Sequence, residues 1–155
     1  MPDMLVKLYE LPELAPVLNR VAGEGIAIRV AKAPEKPRVV AWMDAYFPWW
    51  TAEVEVSFSR LPISCFLAVQ GGELLGFACY DSICPNFFGP TAVLESERRR
   101  GIGNALLLAA LHAQRAQGFA YAIIGGVGPA DYYAKTVGAM IIEGSDPGIF
   151  TGLLC

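Results

Sequence analysis

The densest chemistry in the chain lies in LESERRRGIGNALLLAALHAQ (94–114), where Arg98, Arg99 and Arg100 run directly into Gly101-Ile102-Gly103 and then into an apolar stretch. The first amides of a helix have no intrahelical acceptor and sit at the positive end of its macrodipole. Glycines at such a start let a phosphate approach the backbone closely, and arginines around it add fixed charge. An arginine triplet alone is commonly solvated, and Gly-x-Gly alone is common. A strand, a loop, a basic cluster, Gly-x-Gly and an apolar helix in that order point more narrowly to a small phosphate site. Two phosphate motifs are excluded. No Gly-Lys-[Ser/Thr] ends the loop, so it is not a P-loop. A dinucleotide fingerprint would need glycine where Leu106 stands, and the loop 95–100 is too long for one.

The balance of charge narrows the ligand. Fifteen Asp and Glu stand against twelve Lys and Arg, with a pI near 5.1. A nucleic-acid binder carries a basic surplus or stripe, so nucleic acid is not an expected partner and a compact polyanion is. Cys65, Cys79, Cys84 and Cys155 form no Cys-x-x-Cys pair, and His112 is the one histidine available to join them, so no metal is expected. Cys65 and Cys79 lie in apolar runs and read as buried thiols of a reducing cytoplasm. At 54% hydrophobic the chain is apolar, yet no run is long enough to span a membrane, and 1–10 lacks the layout of a signal peptide. The surplus points to a buried sheet or to the interface of a homodimer.

These residues need elements to position them. At 155 residues the chain is one domain (1–155). Alternation and turn signals predict a strand over 4–11 and a helix ending at Gly23 or Gly25, together an N-terminal extension (1–25). The N-terminal half (26–94) begins with a strand at 26–33 and a helix around Val39, Val40, Met43 and Phe47. Segment 49–60 fits a helix, an irregular stretch or a strand. Two strands follow, joined at Gly71-Gly72, and then a third at 86–94, broken by Gly89-Pro90. The C-terminal half (95–155) holds the arginine loop and a helix to Gly118 with an apolar stripe of Ile102, Leu106, Ala109, Ala110 and Ala113. Leu107, Leu108 and Leu111 lie off that stripe and call for a second buried contact. A strand at 119–126, a short helix at 128–137 and two closing strands at 138–144 and 148–154 complete the chain. Strand–helix–strand over 87–125 implies one parallel pair in an otherwise antiparallel sheet.

Arg98-x-x-Gly101-x-Gly103 resembles the [Gln/Arg]-x-x-Gly-x-[Gly/Ala] signature of the GNAT superfamily of acyl-CoA-dependent N-acyltransferases, and DYYAKTVGAMII resembles that family's later FYxKxxGA element. The likeness is specific from about Cys65 to Ile142. It implies an α/β (α+β) fold: a mixed, mostly antiparallel sheet with a central splayed parallel pair and flanking helices. It implies that the backbone of Arg98, Arg99, Arg100, Gly101, Ile102, Gly103 and Asn104 holds the pyrophosphate of acetyl-CoA, that Val93 and Leu94 offer hydrogen bonds to its pantetheine, and that Tyr133 protonates the leaving thiolate. Tyr46, Trp49 and Trp50 stand where the family forms its acceptor lid.

Direct acyl transfer needs a neutral amine, a thioester at attack distance and a proton for the thiolate. Asp81, Glu53 and Glu55 are the carboxylates open as base or substrate contact, with Asp81 counted among the acceptor-site residues. Tyr132 is expected to point away from Tyr133, and His112, mid-helix, to be structural. The expected function is an N-acetyltransferase acting on a primary amine of a small molecule or a protein. The alternative is a non-catalytic acyl-CoA-binding module.

Overall fold

Period-two alternation in the middle of the chain becomes sheet in the computed structural model, which describes residues 1–154. In β3 (Cys65–Gln70) and β4 (Glu73–Tyr80), Phe66, Ala68, Leu75, Ala78 and Tyr80 face one core, while Cys65, Leu67, Phe77 and Cys79 face another on the opposite side. Gly71 and Gly72 join the two strands, both at positive φ (57° and 80°), as a tight hairpin turn requires. With β1 (Met4–Lys7), β2 (Ala27–Val30), β5 (Phe87–Val93), β6 (Tyr121–Ile124) and β7 (Met140–Ile141), the strands form one seven-stranded sheet in the order β2-β3-β4-β5-β6-β1-β7. Every pairing is antiparallel except β5 with β6.

The parallel pair meets only at Phe87↔Ile123 and Phe88↔Ile124. Beyond Phe88 the strands part. Gly89 takes φ 117°, and Pro90 has no N–H to give to a ladder. The resulting gap is the one interruption that concerns function.

Helices cover both faces. α4 (Ile102–Ala116) lies on the first core, and α1 (Leu14–Ala22) packs on α4 from outside. That second layer and the turn at Leu8–Glu10 pack against α4, in which Leu107, Leu108 and Leu111 are all buried. Each such leucine contributes about 1.5–3 kcal/mol on burial. α2 (Lys36–Tyr46) and α3 (Thr51–Ser57) cover the other face, with Val39, Met43 and Val54 against Leu67 and Phe77. The ambiguous 49–60 segment is therefore helical at its centre. Val54 and Ser57 share its buried side, and Thr51 Oγ1 donates to Asp44 Oδ1 on α2 at 2.8 Å. α5 (Ala130–Val137) follows β6 and ends at Gly138, φ 66°.

Both chain ends differ from expectation. β1 is not an appendage: it runs between β6 and β7, pairing Met4–Lys7 with Ile124–Tyr121 and Met4–Leu5 with Ile141–Met140. The expected strand at 4–11 is shorter because Leu8–Glu10 winds into a 3-10 turn. The closing hairpin is replaced. Only Met140–Ile141 of 138–144 is strand, and 148–150 is a 3-10 turn. The edge of β6 is already taken by β1, and Gly144, Gly148 and Gly152, all at positive φ, break extended backbone after Ile141. Cys65 and Cys79 face each other as buried free thiols across β3 and β4; their mutual hydrogen bond and burial hold the Cys65 thiol well above its ordinary range. Cys155 lies outside the described residues. Among the described residues no helix is long and apolar enough to cross a membrane, and no cluster of His, Cys, Asp or Glu could hold a metal ion.

Candidate active site

The arginine loop wraps the start of α4. Arg99 and Gly101 both enter the left-handed region (φ 64° and 79°), which turns successive amides inward to form an anion-binding nest. Among the described residues, the amides of Arg99 through Asn104 find no acceptor, whereas the next one, Ala105, bonds Gly101 O at 3.1 Å. Gly103 has no steric need to be glycine: a Cβ there would meet only Val93 Cγ2, at 3.8 Å. The nest opens on a cavity of about 610 Å³ lined by Val93, Arg98, Arg99, Gly101, Gly103 and Asn104 on one side and Trp49, Trp50, Tyr132 and Tyr133 on the other. Asn104 Oδ1 is buried without a hydrogen-bond partner among the described residues. Unengaged amides suit anionic oxygens, and an orphan acceptor suits a ligand N–H. Acyl-CoA, with a pyrophosphate and pantetheine amides, fits that donor and acceptor set.

A second cavity of about 630 Å³ lies on the other side of the β5–β6 gap. Trp50, Thr91, Pro129 and Tyr133 line both cavities, so the two meet at Tyr133. The Tyr133 ring is buried and packs edge-on against Phe88 (centroids 6.5 Å apart) and Tyr132 (5.1 Å). Its hydroxyl makes no hydrogen bond among the described residues, and burial pushes its pKa up to about 12. The phenol therefore keeps its proton throughout the physiological range. Glu53, on the first turn of α3, lines the second cavity, and burial raises its carboxyl pKa above the usual range. The far wall is strapped by the N-terminal segment. Asp3 Oδ1 accepts the Gly126 amide at 2.8 Å, Pro2 O accepts the Val127 amide at 2.9 Å, and the Asp3 amide donates to Ser145 Oγ at 2.8 Å.

The model of the acetyltransferase (GNAT) family matches residues 27–137. The chain belongs to the GNAT family. Its fold is shared by the GCN5-related glucosamine N-acetyltransferase region of a fungal multi-domain GH3 β-N-acetylglucosaminidase (TM-score 0.75, 17% identity, 91% of this chain and 19% of that one). It is shared also by a GCN5-related N-acetyltransferase from Sphaerobacter thermophilus (0.67, 17%, 91% and 48%) and a GNAT acetyltransferase from Colwellia psychrerythraea (0.62, 17%, 90% and 52%). The chain thus spans a fifth to a half of these proteins, and at such identity the likeness is one of fold. No curated protein matches the sequence.

The GNAT loop does not use its three arginines alike. Arg98 and Arg99 line the cavity, and Arg98 Nε reaches Val93 O at 3.4 Å. The Arg100 side chain turns away. It pairs with Glu97, lies 3.6 Å from Glu24 and 3.5 Å from Gln70, and so fixes the loop to the α1–β2 turn and the end of β3. Leu94 also departs from expectation. Its amide bonds Leu75 O at 2.9 Å and its carbonyl accepts the Glu97 amide at 2.9 Å, so the Leu94 amide is not available to a pantetheine. Strand alternation turns the backbone of Val93 the other way, toward the gap. Ile102 is buried in the core and contributes its amide alone to the nest.

Of the expected acceptor residues, Trp49 and Trp50 line the cleft, and Trp50 also packs against Phe47 (6.0 Å) and Phe77 (6.5 Å). Tyr46 lies outside both cavities, exposed, against Trp42 at 5.3 Å. Asp81 is outside them as well. Arg60 Nη1 and the Asn86 amide each bond its carboxylate at 2.7 Å, making it the hub of the β4–β5 connection. Glu55 is exposed and 3.8 Å from Lys36. His112 Nε2 lies 2.8 Å from Pro12 O, outside both cavities. Tyr132, expected to point away, lines the nest cavity. The sequence carried no signal for Asp3. Its role appears only once β1 is seen between β6 and β7.

Proposed function

We propose that this GNAT chain transfers an acetyl group from acetyl-CoA to a primary amine, with the nest cavity holding the nucleotide thioester and the second cavity the acceptor. The meeting of the two cavities at Tyr133 carries the proposal. One side presents unengaged amides with Arg98 and Arg99; the other presents a carboxylate. Bound in the nest cavity, acetyl-CoA supplies an acyl group activated as a thioester. The loop amides and the two arginines hold the phosphates, and the Val93 backbone borders the gap where pantetheine lies. Tyr133 Oη holds a proton for the departing sulfur. Glu53, which lines the second cavity, takes the proton the amine loses, directly or through a water. Cys65 and Cys79, free thiols side by side, suit a reducing cytoplasm.

Calorimetry with CoA, followed by thiol release from acetyl-CoA over a panel of amines, tests this. CoA binding with amine-dependent thiol release is expected. CoA binding with no release from any amine would instead mark a module that binds acyl-CoA without turning it over. Absence of CoA binding would refute the assignment of the nest.

A further inference from the structure

The second cavity has a more particular chemistry than an amine site in general. Its walls include Trp50, Ile83, Phe88, Pro90, Pro129 and Phe150, and among the described residues no lysine or arginine lines it. Glu53 is one of the residues lining it, and its Oε2 is shut off from solvent with no hydrogen-bond partner among the described residues. The other carboxylate, Asp146, sits at the rim, more than half exposed and paired with the α-amine of Met1. A carboxylate oxygen without water or donor is costly, and a ligand ammonium would satisfy it best. The Trp50 ring adds a face on which a cation can rest.

We infer that the acceptor is a small lipophilic primary monoamine, an arylalkyl or alkyl amine, whose ammonium is held by Glu53 and whose body fills the apolar cavity. This rests on the acyltransferase reading of the cleft and names its substrate class. One carboxylate with a buried, unpartnered oxygen matches one positive charge. A polyamine would leave its second ammonium against apolar walls, and an amino acid would find no side-chain cation for its carboxylate. A sugar amine would bury several hydroxyls against these largely apolar walls and lose most of their hydration. A volume of about 630 Å³ lies in the usual range for small-molecule sites.

The probes are 2-phenylethylamine and its neutral counterpart 2-phenylethanol, titrated calorimetrically without CoA into the full chain and into Glu53→Gln. Wild type should bind the amine about ten- to a hundredfold tighter than the alcohol, the range expected for a hydrogen-bonded buried charge. Glu53→Gln should bind the two alike while keeping its CoA affinity and a cooperative melt. Glucosamine and spermidine should bind the wild type at least about tenfold more weakly than 2-phenylethylamine. Equal binding of amine and alcohol by the wild type would overturn the inference. So would an amine preference that survives Glu53→Gln, or tighter binding of glucosamine or spermidine. A wild type that fails to bind CoA would overturn the acyltransferase reading instead, a result these titrations without CoA do not depend on.

Discussion

Gly103→Ala separates a glycine kept for a ligand from one kept for the fold. Gly103 is the second residue of α4, outside the left-handed region, and a Cβ there would make one ordinary contact, 3.8 Å from Val93 Cγ2. The protein should accept alanine. Relative to glycine, alanine favours a helix interior by about 1 kcal/mol and the first turn by less. A domain of this size shifts its Tm by roughly 2–4 °C per kcal/mol, so the melt should stay put or rise by up to about 3 °C. Binding should suffer, because the methyl stands where a phosphate oxygen must come to reach the nest amides. Losing one hydrogen bond to a charged group removes about 1.5–3 kcal/mol, a roughly ten- to 150-fold weaker Kd for CoA. Gly101→Ala is the contrasting control. Its φ of 79° strains any other residue, and its Cβ would stand 3.6 Å from Cζ of Arg20, so both Tm and CoA affinity should fall. Calorimetry and thermal melts on the three proteins read both quantities. Unchanged CoA affinity in Gly103→Ala would refute the placement of phosphate on this nest. A Tm loss of several degrees in the same variant would show the glycine to be a packing requirement.

Tyr133→Phe should lower kcat by roughly ten- to a thousandfold with CoA affinity unchanged, and since burial holds the phenol at about 12, the wild-type pH–rate profile should show no break from Tyr133 below about pH 11. Arg98→Ala and Arg99→Ala should each weaken CoA binding in a salt-sensitive way, whereas Arg100→Ala, which cuts the ties to Glu97, Glu24 and Gln70, should lower Tm more than it lowers affinity at saturating salt. Asp3→Ala leaves the Gly126 amide without its acceptor and should destabilise by about 1–3 kcal/mol in denaturant titrations. Glu35, held down to about 2 chiefly by hydrogen bonds from Arg29, has a folded pKa below its unfolded value, so its stabilisation is present above about pH 4.5 and lost as pH falls toward 2. Glu35→Gln should therefore flatten that part of an acid melt by no more than about 1 kcal/mol, because the pair is about a third exposed and screened.

Local sequence determined what local physics controls. The two strands of the Gly71-Gly72 hairpin, the position of α4 and the basic loop before it follow from turn chemistry and helix-start signals, all carried by neighbouring residues. The Gly89-Pro90 break in β5 was legible for the same reason: a residue without an N–H cannot complete a ladder. Tertiary structure decided what depends on distant partners. β1, from the other end of the chain, occupies the edge of β6, and 148–150 winds into a 3-10 turn instead of the expected strand, with Gly148 and Gly152 at positive φ. Segment 49–60 is helical because α2 and the sheet bury Val54, not because of its own pattern. Arg98, Arg99 and Arg100 are indistinguishable in sequence, yet Glu24 and Gln70 claim only the third. Among the carboxylates, Asp81 was taken by Arg60 and Glu55 was left beside Lys36 in solvent. Glu53 came to line an apolar cavity through the packing of α3 on α2 and β4, an arrangement assembled from segments dozens of residues apart.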